Sequence, residues 1–103
     1  MIRTKREKLK IIKDILGVIL LNRNIPPTRL LYKANLSPGM FKDYIEELID
    51  RGLISEKIIT KNEKIDGRKF KEGKKIYNLT ELSREYLEDY KVVDMFLEKY
   101  GLD

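Results

Sequence analysis

The stretch Asn35 to Ile54, NLSPGMFKDYIEELIDRGLI, constrains the fold of this chain more than any other. Ser37 is a good N-cap, and Pro38 fits the first helical position, where a missing N–H costs nothing. Phe41, Ile45, Leu48 and Ile49 then recur at helical spacing, and Gly52 supplies a terminator. The pattern predicts a helix over Ser37–Arg51 with one face buried. A lone amphipathic helix of this length is marginal in water, so its neighbours must supply the packing.

Upstream, Lys5 to Asn22 reads as a helix with two apolar faces, Leu9, Ile12, Leu16, Ile19 and Leu20 on one and Ile11, Ile15 and Val18 on the other. Asn24-Ile25-Pro26-Pro27 is expected to be a loop, since two prolines do not continue a helix. Thr28 is then expected to cap a short helix, Arg29 to Ala34, with Leu30 and Leu31 inward and Leu36 plugging the corner before the next helix. Downstream, Leu53 to Lys61 alternates like a strand, Asp66-Gly67 is a strong two-residue hairpin turn, and Lys74 to Leu79 returns. Pairing about that turn places Ile54 and Ile58 on one face with Tyr77 and Leu79, with a bulge expected at Gly73. Thr80 caps a last helix, Glu81 to Tyr100, ended by Gly101. Helix, short helix, turn, helix and hairpin in that order predict a winged helix-turn-helix. The expected class is mainly α with a small β-hairpin (α+β): residues 1–80 form the winged domain and residues 81–103 a C-terminal amphipathic, coiled-coil-like helix.

Composition narrows the chemistry. The 103 residues contain no cysteine and no histidine, which removes disulfides, thiolate zinc sites and the commonest general base. The carboxylates Glu46, Glu47 and Asp50, and Glu81, Glu85, Glu88 and Asp89, lie opposite apolar stripes and read as solvated helix faces. No Gly-rich phosphate loop is present. No catalytic residue, metal site or cofactor is therefore expected, and the chain reads as a non-enzyme. No apolar run approaches the roughly 18 residues of a membrane helix, and the basic start MIRTKREKLK carries no cleavage pattern. An intracellular protein without a membrane partner is expected.

The net charge of +5 favours an anionic partner only if it is concentrated. It is: Lys57 to Lys75 holds seven lysines and one arginine against Glu63, Asp66 and Glu72. The tip Gly67-Arg68-Lys69-Phe70-Lys71, with Lys74 behind it, can reach phosphates or a minor groove, although a plain solvated hairpin has the same composition. Phe70 is read as an exposed tip aromatic, or else folded back onto the sheet. On the central helix the outward positions are Ser37, Pro38, Gly39, Met40, Lys42 and Asp43, with Tyr44 and Glu46 beside them. Acids outnumber bases from Ser37 to Arg51, and no Arg, Asn or Gln stands at the exposed start, so phosphate and shape readout is expected over base reading. Thr28, Arg29, Tyr32 and Lys33 are candidate backbone contacts. The basic residues Arg3, Lys5, Arg6, Lys8, Lys10 and Lys13 are either a solvated end or a phosphate-contacting arm. Tyr86, Tyr90, Val93, Leu97 and Tyr100 follow the spacing of a coiled-coil seam, broken near its start by Ser83, and point to self-association through the last helix. A winged helix used for protein–protein contact in a transcription or chromosome-organising complex is the alternative, motivated by the acidic half of the central helix. RNA binding is a weaker option, for want of paired aromatics on a sheet face.

YKANLSPGMFKDYIEELIDRGLI followed by IYNLTELSREYLEDY resembles the small archaeal winged-helix DNA-binding proteins of the 10a type. The resemblance covers about Lys8 to Tyr90 and is most specific in LLYKANLS, EELIDRGLI and the Tyr-x-Leu-Thr lead into the last helix. It implies double-stranded DNA binding, a homodimer through an antiparallel coiled coil of C-terminal helices, and a nucleoid-associated role as transcription regulator or chromatin protein.

Overall fold

In the computed structural model, the structure describes residues 5–101, with side chains from residue 7 onward. Arg3 and the side chains of Lys5 and Arg6, half of the basic arm expected at the N-terminus, lie outside the described residues. The elements run α1 (Lys5–Leu21), α2 (Pro27–Ala34), α3 (Pro38–Asp50), β1 (Ile54–Ile58), β2 (Lys64–Ile65), β3 (Arg68–Lys69), β4 (Lys75–Leu79) and α4 (Glu81–Tyr100). This is the expected winged helix-turn-helix with a long C-terminal helix.

α3 begins and ends as its sequence dictates. The Met40 N–H donates to Ser37 Oγ at 3.4 Å, and Pro38 sits in the first turn. At the other end Gly52, at φ +74°, donates to the Ile49 carbonyl while Leu53 donates to the Leu48 carbonyl. These are the two bonds of a Schellman cap. α2 departs from expectation. It starts at Pro27, with Pro26 at the cap position, so Thr28 lies inside the first turn and caps nothing. A proline at the first helical position loses no hydrogen bond and already has helical φ, so the second proline starts the helix instead of delaying it.

Ile12, Ile15, Leu16 and Ile19 of α1 meet Leu30, Ile45, Leu48, Ile54, Tyr77 and Ile25 in the main core. Ile11, Val18 and Leu36 pack partly buried at its edge. Leu9 and Leu20, expected on one apolar face of α1 with Ile12, Leu16 and Ile19, are 44% and 52% exposed and stand outside the core.

The register of the sheet is the one that the Asp66-Gly67 turn sets. Ile54 opposes Leu79, Ile58 opposes Lys75 and, nearer the tip, Ile65 opposes Arg68. Asp66 and Gly67 both have positive φ, as a type I′ turn requires. Ile54 and Tyr77 face the core, but Ile58 does not share their burial: at the wing end of the ladder, beyond the helices, it is 55% exposed. The strands are shorter than expected because each arm turns midway. Glu63 donates its N–H to the Thr60 carbonyl and Lys74 donates to Lys71, with Asn62 and Gly73 at positive φ. Gly73 also donates to the Ile59 carbonyl at 2.8 Å, the bulge expected from its sequence position. Glu63 locks the first turn by accepting from the Thr60 N–H and Oγ1, each at 2.9 Å, and from Lys57 Nζ. That bonding, the Thr60 backbone first, holds its carboxyl down at about 2.

The result is a wing folded over rather than extended. Ile59, Phe70 and Ile76 form a second small core, with Ile65 against it. Ile25, read as loop, pairs with Tyr77 through both backbone bonds (3.2 and 2.8 Å) and adds a third strand fragment.

α4 opens on a reciprocal cap: Thr80 N–H donates to Ser83 Oγ at 2.8 Å and Ser83 N–H to Thr80 Oγ1 at 3.2 Å. Ser83, a break in the seam by sequence, is fully buried as part of that cap. The Tyr86 hydroxyl donates to the Leu9 carbonyl at 3.0 Å and fixes α4 to α1. Burial, with Tyr90 adding to it, pushes the Tyr86 phenol up to about 12 from 10.0. A raised folded-state value stabilises the fold below pH 10 and loses that contribution as the pH climbs towards 12. In an alkaline titration followed by phenolate absorbance, the step near pH 12 should therefore disappear in Tyr86→Phe. Its survival in that variant would reassign it.

Candidate nucleic-acid interface

The outward side of the helix-turn-helix carries the residues that its sequence suggested. Ser37, Pro38, Gly39, Lys42 and Asp43 are exposed at the start of α3, and Met40 is half-buried. A side chain at Gly39 would meet nothing within 4 Å, so no packing inside the protein calls for a glycine there. A bare backbone at that point suits close approach by a partner. On α2, Thr28, Arg29 and Lys33 are exposed, and Tyr32 is 86% exposed between them. The acidic half of α3 is partly neutralised within the chain: Glu47 accepts from Lys8 at 2.9 Å and from Arg51 at 3.2 Å. The Lys8 hydrogen bond leads the causes that lower the Glu47 pKa. Lys8, counted with the basic arm, is thereby committed to α3.

On the wing, Arg68, Lys69, Lys71 and Lys74 are all exposed. Lys57 and Lys75 pair with Glu63 and Glu56, at 2.9 and 3.9 Å. Among the described residues, Lys61, Lys64, Lys69, Lys71 and Lys74 have no acidic partner within 4 Å. At the tip the structure takes the second of the two readings of Phe70, folded back onto the sheet. Phe70 is only 9% exposed, and the Arg68 guanidinium lies 4.7 Å above its ring. Phe70 therefore offers no aromatic wedge to a groove. Asp66 accepts from Asn24 Nδ2 at 2.9 Å, and Asn24 and Asn78 exchange two further bonds of 2.8 Å. The tip is thus tied to the α1–α2 loop, where Arg23, Arg29 and Arg68 line a groove of about 410 Å³. Sequence reasoning missed Arg23 and Asn24. The one available signal was an Asn two residues ahead of the proline pair, a residue type that tolerates the positive φ found there.

The seam residues of α4 separate into two groups. Tyr86 and Tyr90 stack on each other at 6.3 Å and lie against α1, with Lys13 Nζ 5.6 Å from the Tyr90 ring. Val93 and Tyr100 are exposed and Leu97 is half-buried. Val92, Met95 and Phe96, outside the predicted seam, are exposed as well. No helix among the described residues is long and apolar enough to cross a membrane.

A helix-turn-helix followed by a hairpin that pairs with a strand fragment ahead of α2 defines the winged-helix class. The winged helix-turn-helix family model matches residues 5–98, and the chain belongs to that family. No curated protein sequence matches it. The 10a-type resemblance holds at the level of the fold. Sso10a-2, a DNA-binding protein from Sulfolobus solfataricus, superposes with TM-score 0.61 at 22% identity over 96% of this chain and 90% of its own. A point mutant of MepR from S. aureus superposes with TM-score 0.69 at 12% identity over 93% of this chain and 69% of its own. A cysteine-to-serine mutant of ZitR from Lactococcus lactis does so with TM-score 0.63 at 16% identity over 89% of this chain. The chain spans 57% of that ZitR chain and 62% of the PcaV transcriptional regulator from Streptomyces coelicolor.

Proposed function

We propose that the protein binds double-stranded DNA as a homodimer and acts as a transcription regulator or chromatin-associated protein. Residues 1–80 serve as the DNA-binding unit and residues 81–103 as the dimerising helix. The observation that carries this reading is the set of exposed wing lysines without acidic partners, on a frame whose α3 start is also open to solvent. The DNA-binding protein and the transcriptional regulator among its structural neighbours support it. Lys69, Lys71, Lys74, Arg29 and Lys33 contact phosphates, and Ser37 to Asp43 positions the module in a groove. With lysines carrying the contact and no bidentate base reader at the α3 start, affinity is mostly sequence-independent.

Gel-shift titrations of a random-sequence duplex over a range of salt test it. Affinity should fall linearly on a log–log plot against salt. Lys69→Glu with Lys71→Glu should weaken binding to every duplex about tenfold and reduce the slope by about two per protomer, about four for the dimer. A chain that shifts no duplex at low salt, or whose binding ignores salt, is not a DNA-binding protein of this kind.

A further inference from the structure

Two arginines close in sequence and a third far from them converge on the groove behind the wing tip. Arg23 comes from the α1–α2 loop, Arg29 from α2 and Arg68 from β3, and Asn22, Asn24 and Asp66 complete the polar lining. All three guanidinium groups are permanently charged, and Asp66 is the one carboxylate of the lining. Its Oδ2 accepts from Asn24 at 2.9 Å and lies 3.9 Å from Arg23. Among the described residues, Arg29 and Arg68 have no acidic partner within 4 Å.

Guanidinium forks match the oxygens of a phosphate, which they hold with two parallel bonds. An excess of two positive charges in a concave site suits such an anion better than it suits one carboxylate. We propose that this groove is a phosphate-binding site, and that Asp66 is its resident counter-ion, with which an incoming phosphate competes for Arg23. The phosphate comes either from a DNA backbone, a source that rests on the DNA-binding reading, or from a free phosphate compound. In the first case the groove gives the duplex an anchor between the wing and α2, away from the α3 surface.

Two variants and a control test this in the full-length chain. Asp66→Asn keeps a residue that favours the type I′ turn and can still meet Asn24, while it removes the competing charge. Glu72→Gln makes the same charge change on the wing outside the groove. Arg23→Ala with Arg29→Ala removes exposed side chains only. Inorganic phosphate should shift the guanidinium NMR signals of Arg23, Arg29 and Arg68 saturably, and the double arginine variant should lose the Arg68 shift. For a backbone source, that variant weakens duplex binding about tenfold and lowers the salt slope by about two per protomer. Asp66→Asn should then tighten binding about threefold more than Glu72→Gln does. If phosphate shifts the arginines while the double variant binds duplex like the parent, the site serves a free phosphate compound and Arg29 makes no DNA contact. If the parent shifts no duplex but phosphate still moves the arginines, the DNA reading falls and the site stands. Arginine signals unmoved by phosphate overturn the site, whatever the double variant does to duplex binding, because Arg29 also stands among the direct DNA contacts. Equal effects of Asp66→Asn and Glu72→Gln overturn the role of Asp66.

Discussion

Phe70→Ala lowers the unfolding free energy by about 3 kcal/mol, the low end for deleting a buried phenylalanine. The ring closes a cluster with Ile59 and Ile76, and Arg68 stacks on its outer face. The cluster is small, yet its loss spreads, because Ile76 of the wing core is followed in β4 by Tyr77 of the main core. Loosening the wing therefore frays the central strand to which β1 and Ile25 are bonded. For a domain of this size the change lowers Tm by more than about 10 °C. Phe70→Leu, which refills most of the space, should recover most of the stability and keep duplex affinity. Thermal unfolding followed by circular dichroism, with duplex titration of both variants, checks it. An exposed, inserting Phe70 would behave in the opposite way: Ala would leave Tm alone and Leu would not restore binding.

Phe70 also marks where the sequence ceases to be legible. Local signals are legible because their causes lie within a few residues. The cap of α3, its glycine terminator, the Asp66-Gly67 turn and the Gly73 bulge all follow from backbone preferences of the residues involved. The bend of the wing does not. Besides its local turns it is tied down by Asn24 meeting Asp66 and Asn78, 42 and 54 residues away in sequence, and no periodicity encodes such pairs. The start of α2 is ambiguous in sequence because a proline both ends and begins helices, and the choice depends on the pairing of Ile25 with Tyr77. For the interface, exposure of the α3 start and of the basic wing can be read from amphipathic spacing and charge. The groove cannot, because Arg23, Arg29 and Arg68 become neighbours only once the wing folds over.

Glutamate at Val93 and Phe96 together should turn the protein into a monomer and weaken duplex binding about a hundredfold, the lower end of what linking two binding units confers. α1 covers only the first half of α4. From Val92 to Tyr100 the helix leaves Val92, Val93, Met95, Phe96 and Tyr100 each more than half exposed. Exposed apolar surface of this extent suits an interaction surface, and in the proposed homodimer two-fold pairing would bury it on both chains at once. The first two residues of the predicted seam lie against α1 within the monomer. Tyr86 is held by the Leu9 carbonyl and Tyr90 lies beside it, so replacing either would damage the monomer as well as any dimer. Val93 and Phe96 are exposed, and changing them leaves the core untouched. Light scattering should give half the parent's mass for Val93→Glu with Phe96→Glu, at an unchanged Tm for the winged domain. Tyr86→Phe, which keeps the ring, should leave the mass alone. A double variant of unchanged mass would place the contact elsewhere, and a monomeric variant with parental duplex affinity would show that DNA binding does not need two copies.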